Sequence, residues 1–105
     1  MNVTALEWAR AQKPLSILEK SVLLVLASLA DDHEIVAGQS QRDIAEFVGC
    51  SRQAANRALR NLATEQLICN IRDVGDSGRS FYFLNFNGKY ELFYRALEAR
   101  QRGAA

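Results

Sequence analysis

Arg52, Gln53, Asn56, Arg57 and Arg60 carry the most specific chemistry in this sequence, through both their types and their spacing. From Arg52 to about Thr64 the chain has Ala55, Leu59 and Leu62 at i, i+4 and i+7, the repeat of a helix with one buried face. With Arg52 at zero on a 3.6-residue period, Asn56, Arg60, Gln53 and Arg57 fall at roughly 40°, 80°, 100° and 140°. Ala54, Ala58, Leu62, Ala55 and Leu59 occupy the opposite arc, from roughly 200° to 340°. One face is therefore entirely Arg, Gln and Asn. Their paired hydrogen-bonding atoms match the guanine and adenine edges in the major groove of duplex DNA. An ordinary solvated helix face mixes both charge signs. Residues 51–64 instead hold three arginines and no acid, a local +3, while Asp31, Asp32 and Glu34 make 31–34 a local −3.

The totals conceal this segregation. Across 105 residues, 13 Lys+Arg against 12 Asp+Glu leave a net charge of +1, which taken alone argues against a nucleic-acid partner. The length suits one domain, 1–105, and the 49% apolar and 24% charged fractions are ordinary for a soluble globular protein. Other chemistries are weaker. Gly75-Asp76-Ser77-Gly78 has the form of a serine-protease nucleophile segment, but a triad needs His and Asp around that serine on a far larger scaffold, so a turn tip is expected. Asp31-Asp32-His33-Glu34 holds metal-ligand types, yet consecutive residues do not converge on one ion, and an acidic helix end is expected. Cys50 and Cys69 are too few for a disulfide framework or a zinc site and read as ordinary buried side chains. No phosphate loop or dinucleotide fingerprint is present. The sequence thus predicts no catalytic residue, cofactor, metal or small-molecule ligand, and no enzyme. The most apolar run, Val22 to Ala30, falls short of the roughly 20 residues of a membrane span. With no signal-peptide pattern at its start, a cytoplasmic protein without a membrane partner is expected.

The elements that must position the Arg-rich helix are short. Thr4 with Glu7 has the form of a capping box and opens a first helix carrying Leu6, Trp8 and Ala9, stopped by Pro14. Ser16 with Glu19 repeats the pattern and opens a helix running to about Ala30, apolar nearly all round and so the central strut of the core. Ile35-Val36-Ala37 is a short strand candidate, and Ser40 caps a third helix whose apolar residues are Ile44, Ala45, Phe47 and Val48. Gly49-Cys50-Ser51 is a turn ending in a cap residue, followed by the Arg52 helix. Leu67 to Val74 and Ser80 to Phe86 are strand-like runs around the turn-rich residues 75–79, and a last helix follows Asn87-Gly88.

Helix, three-residue turn, helix and hairpin form the layout of a winged helix-turn-helix. The runs Leu26-Ala27-Ser28-Leu29-Ala30-Asp31-Asp32, Ser40 to Ala54, Ala58-Leu59-Arg60-Asn61-Leu62, Leu67-Ile68 and Tyr82-Phe83-Leu84 resemble the winged domains of phage and plasmid replication and regulatory proteins. The resemblance covers roughly residues 15–86. It implies an α+β, mostly helical fold with a three-helix core and a small antiparallel β-wing, to which the residue patterns of 1–14 and 87–105 add extra terminal helices. In such domains a glycine commonly precedes the Leu-Ile that opens the wing, and here Gln66 stands in its place. If that position is left-handed, Gln costs on the order of 1 kcal/mol relative to Gly.

Within this layout Gln53, Asn56 and Arg57 are the expected base readers, since the N-terminal half of a recognition helix reaches the groove first. Ser51 and Arg52 sit where free backbone N–H groups favour phosphate, and Arg60 is expected on the backbone. Ser40, Gln41 and Arg42 are expected on phosphate from the preceding helix. On the wing, Ser77, Arg79 and Ser80 are candidates for the minor groove or phosphates, with Asp76 opposing deep insertion. Strand alternation puts Phe81 and Phe83 on one side and Tyr82, Leu84 and Phe86 on the other, so two apolar faces need cover. Leu6, Trp8, Tyr90, Phe93, Tyr94 and Leu97 are expected to supply it as a homodimer interface. The resulting expectation is a sequence-specific, dimeric repressor of a plasmid, phage or other bacterial element, acting on double-stranded DNA. A replication-initiation or partition protein binding repeated sites is the alternative, and a winged protein–protein module that has lost DNA binding is a third reading.

Overall fold

This computed structural model describes residues 2–13, 16–72 and 80–85. They form α1 (Val3–Ala11), α2 (Ile17–Leu29), β1 (Ile35–Gln39), α3 (Gln41–Val48), α4 (Arg52–Thr64), β2 (Ile68–Arg72) and β3 (Ser80–Leu84). The layout is the mostly helical α+β one that the sequence predicts. The expected last helix, with Tyr90, Phe93, Tyr94 and Leu97, and the wing-tip residues Ser77 and Arg79 lie outside the described residues.

Local hydrogen bonding starts three helices where expected. The hydroxyls of Ser16, Ser40 and Ser51 accept the backbone N–H of Glu19, Asp43 and Ala54, each satisfying a donor that a helix start leaves unpaired. At Ser40 the box closes, because the Asp43 carboxylate accepts the Ser40 N–H at 3.0 Å. The first helix departs from expectation. Asn2, not Thr4, caps it, accepting from the Ala5 N–H at 3.0 Å, and Thr4 lies inside the first turn. The Asn2 amide also donates to the Asp31 carbonyl at 2.8 Å, a tie to the far end of α2 that Thr4 and Glu7 have no counterpart for. α1 ends at Ala11, ahead of Pro14. There the Lys20 ammonium donates to the carbonyls of Ala9, Arg10 and Gln12, a cation on the negative end of the helix.

α2 packs against α1, α3, α4 and β1. Its Val22, Leu23, Leu26 and Ala27 are buried accordingly, the several-sided burial that its apolar run predicts. The sheet is antiparallel in the order β1-β3-β2, with Val36 opposite Tyr82 and Ile68 opposite Leu84. These four side chains are fully buried and join Leu62 in the core. Phe81 is 37% exposed on the other face and Phe83 half-buried, in line with strand alternation.

Two apolar side chains are placed differently from expectation. Trp8 is only 7% exposed and belongs to the monomer's own core, with half-buried Leu6 packed against the same cluster. The Trp8 ring is thus covered within the chain and has little surface left for a second copy. Phe47 is 60% exposed rather than part of the buried face of α3. Ile44, Ala45 and Val48 define that face, and on a 3.6-residue period Phe47 lies roughly 110° from its centre.

α4 ends in a paired motif: the Leu67 N–H donates to the Leu62 carbonyl and the Gln66 N–H to the Ala63 carbonyl, both at 3.0 Å. This arrangement forces the residue after the cap into the left-handed region, and Gln66 has φ 60°. The expected substitution of Gln for Gly therefore falls on a position that does need positive φ. Gln66→Gly is expected to raise stability by about 0.5–1 kcal/mol, relief of left-handed strain being partly offset by the entropy of an added glycine in the unfolded chain. Urea unfolding with an unchanged m-value and a higher midpoint checks this, and an unchanged or lower midpoint contradicts it.

Among the described residues no helix is long and apolar enough to cross a membrane.

Candidate nucleic-acid interface

The candidate interface is built on the turn between α3 and α4. Gly49 ends α3 at φ 85°, with its N–H and that of Cys50 both donating to the Ala45 carbonyl, at 2.8 and 3.1 Å. Nothing lies within 4 Å of where a side chain would begin at Gly49. Glycine is needed there for the backbone conformation and not for lack of room. Two residues later Ser51 caps α4, so the two helices follow each other with a fixed turn between them.

α4 then buries Ala55, Ala58, Leu59 and Leu62 against its neighbours α2 and α3. The small alanines allow close approach, and the opposite arc is left outside. Ser51, Arg52, Gln53, Arg57 and Arg60 are all exposed, and Asn56 is half-buried. The wheel drawn from the sequence is thus reproduced side by side: five polar residues of α4 outward, its alanines and leucines inward. Gln41, Ser51, Arg52, Gln53 and Asn56 line one open depression at the start of the two helices. Inside it the Gln41 side-chain amide donates to the Asn56 oxygen at 3.2 Å.

The acid-free character belongs to the first half of α4. Farther along, the Asn61 amide donates to the Glu19 carboxylate of α2 at 3.1 Å, one residue after Arg60. Spacing along the chain gave no sign of this carboxylate.

The residues expected on phosphate sit differently from one another. Arg42 is exposed at the start of α3, and Gln41 and Ser40 are half-buried. The Ser40 hydroxyl is occupied as the helix cap, and the Asp43 carboxylate stands on the same helix start. A phosphate approaching Ser40 would meet that negative charge, so Arg42 is the better placed of the three. On the wing the backbone of Ser80 is in register with Gln39 on one side and Arg72 on the other.

Both cysteines are free, and burial pushes the Cys69 thiol above its ordinary pKa, which keeps it protonated and unreactive. The Asp31 carboxylate accepts the backbone N–H groups of His33 and Ile35, at 2.8 and 3.0 Å, and so shapes the acidic turn. Among the described residues no three His, Cys, Asp or Glu side chains group to hold a metal.

Residues 21–75 match the Crp-like helix-turn-helix domain family. The chain belongs to that family. The matched span runs from inside α2 through β1, α3, α4 and β2. A helix-turn-helix domain of this family is a DNA-binding domain of the kind that transcription regulators carry. The crystal structure of a zinc-responsive MarR family member, Lactococcus lactis ZitR, is similar over 88% of this chain and 67% of that one, with a TM-score of 0.54 and 19% identity. At that identity the likeness concerns the fold, and it extends the winged helix-turn-helix architecture beyond the matched span. No curated protein matches the chain.

Proposed function

We propose that this helix-turn-helix domain reads a specific double-stranded DNA sequence as a homodimer and represses transcription of a plasmid, phage or other bacterial element by occupying its operator, without catalysis. The observation that carries the reading is the exposed Arg52, Gln53, Arg57 and Arg60 face on α4, with half-buried Asn56 among them. Gln53, Asn56 and Arg57 supply base contacts, Arg60 and Arg42 backbone contacts. The net charge of +1 supports a reader of sequence over a general coat for DNA, since long-range attraction to phosphate is weak and affinity must come from fit. A single recognition helix gives modest specificity, and two copies on a symmetric site supply the rest. Exposed Val3 and half-buried Leu6 on α1 are available to such a contact.

Selection of bound fragments from random and native DNA, followed by footprinting and solution mass measurement, tests this. Inverted half-sites spaced about one helical turn, roughly 10 bp, and a dimeric mass are expected. A long array of repeats identifies a replication or partition role instead. A strictly monomeric mass on both free and DNA-bound samples removes the dimer. Failure to retain any duplex in low salt removes the DNA reading in favour of a protein–protein module.

A further inference from the structure

Gln41 and Asn56 stand on different helices and meet through one hydrogen bond, from Gln41 Nε2 to Asn56 Oδ1 at 3.2 Å. Both are half-buried and line the depression that also holds Ser51, Arg52 and Gln53. An asparagine with both ends unengaged pairs with adenine bidentately, its oxygen accepting from N6 and its nitrogen donating to N7. Here Gln41 engages one of the two lone pairs of the oxygen, which limits how the side chain can turn. The Nδ2 donors are then the end of Asn56 with no bond among the described residues.

We propose that Gln41 is a positioning residue for base reading: its hydrogen bond holds the Asn56 side chain in one place beside Arg52 and Gln53, and so sharpens discrimination at the one base pair that Asn56 reaches. The inference rests on the DNA-reading role of α4 proposed above. It replaces the phosphate contact expected for Gln41 from its position at the start of α3. The two roles leave different marks. A lost phosphate contact weakens binding to every duplex and lowers its salt dependence, whereas a lost positioning contact changes discrimination at a single base pair. Half-burial of Gln41 and its engagement with Asn56 favour the second.

Affinities of wild type, Gln41→Met, Asn56→Ala and the double variant are measured on the selected site and on duplexes with each base pair replaced in turn, at two salt concentrations. Gln41→Met is expected to lose about tenfold discrimination at one position, the position that Asn56→Ala also relaxes. Other positions and the salt slope stay unchanged, and the double variant is no worse than Asn56→Ala alone. Gln41→Glu keeps the length of the side chain but can only accept, which engages the Asn56 Nδ2 and leaves its oxygen outward. A base that offers a donor, adenine or cytosine, is therefore expected to be preferred at that position in this variant. A uniform loss across all duplexes in Gln41→Met, or additive effects in the double variant, overturns the inference while leaving α4 as the reading helix. Wild type that shows no preference among duplexes overturns the DNA-reading role and this inference with it.

Discussion

Arg57→Ala is expected to leave the protein folded and to relax base discrimination at one position of its site by about 1–3 kcal/mol, while Arg60→Ala weakens binding to all duplexes alike. Both side chains are exposed on α4, so neither truncation leaves a cavity. The stability change for each is expected to stay within about 0.5 kcal/mol. The distinction follows from position along one face. Arg57 lies in the half of the helix nearer its start, where bases are reached. Arg60 lies a turn farther on, next to the Asn61–Glu19 contact that anchors this end of α4 to α2. Removing Arg60 should also lower the slope of log affinity against log salt by about one, the signature of one lost phosphate contact. Titrations at several salt concentrations on the selected site and on single-base variants check both. Unchanged binding in both variants, with no salt dependence in wild type, would sink the assignment of α4 to DNA.

The second large effect is on stability. Leu26 is fully buried at the middle of α2, the one helix that meets α1, α3, α4 and β1. Leu26→Ala is expected to cost about 3 kcal/mol, from lost apolar burial and from a cavity that rigid neighbours on several sides cannot close. For a chain of this size that lowers Tm by on the order of 15 °C. The variant should still bind its DNA at low temperature, because Leu26 has no part in the exposed face of α4. Thermal melts with and without the selected duplex test both statements. A shift of a few degrees or less would mean that α2 is not the strut of the core.

What was legible in the sequence was what local spacing decides. Ser16, Ser40 and Ser51 each precede an apolar repeat and reach an N–H three residues on, and all three cap as read. The two faces of α4 follow from its period in the same way. Asn2 was missed because two acceptors near the start of α1 compete, and the bond that accompanies the winning one goes to Asp31, remote in sequence. Lys20 ends α1 across a turn, and Glu19 reaches Asn61 across two helices. Neither contact has a spacing rule behind it. Phe47 is exposed and Trp8 buried within the chain for a related reason. Apolar character says that a side chain prefers burial, while only the packing of α1 on α2 and the narrow buried face of α3 decide which one obtains it. At the candidate interface the residue types were readable, but the bond between Gln41 and Asn56, which makes two of them one unit, was not.

The strand order β1-β3-β2 sets the sequence of events as the chain is made. Among the described residues each outer strand is paired to β3 alone, and β3 is the last of the three to be synthesised. Residues near 35 therefore wait for residues near 83 before their backbone finds a ladder. The four described helices all precede β3 in the chain and have no such wait. A nascent chain that has not yet delivered Tyr82 and Leu84 carries α4 already, but with two unpaired strands and an uncovered core beside it. Translational arrest inside that window would expose an aggregation-prone species that the finished domain never shows.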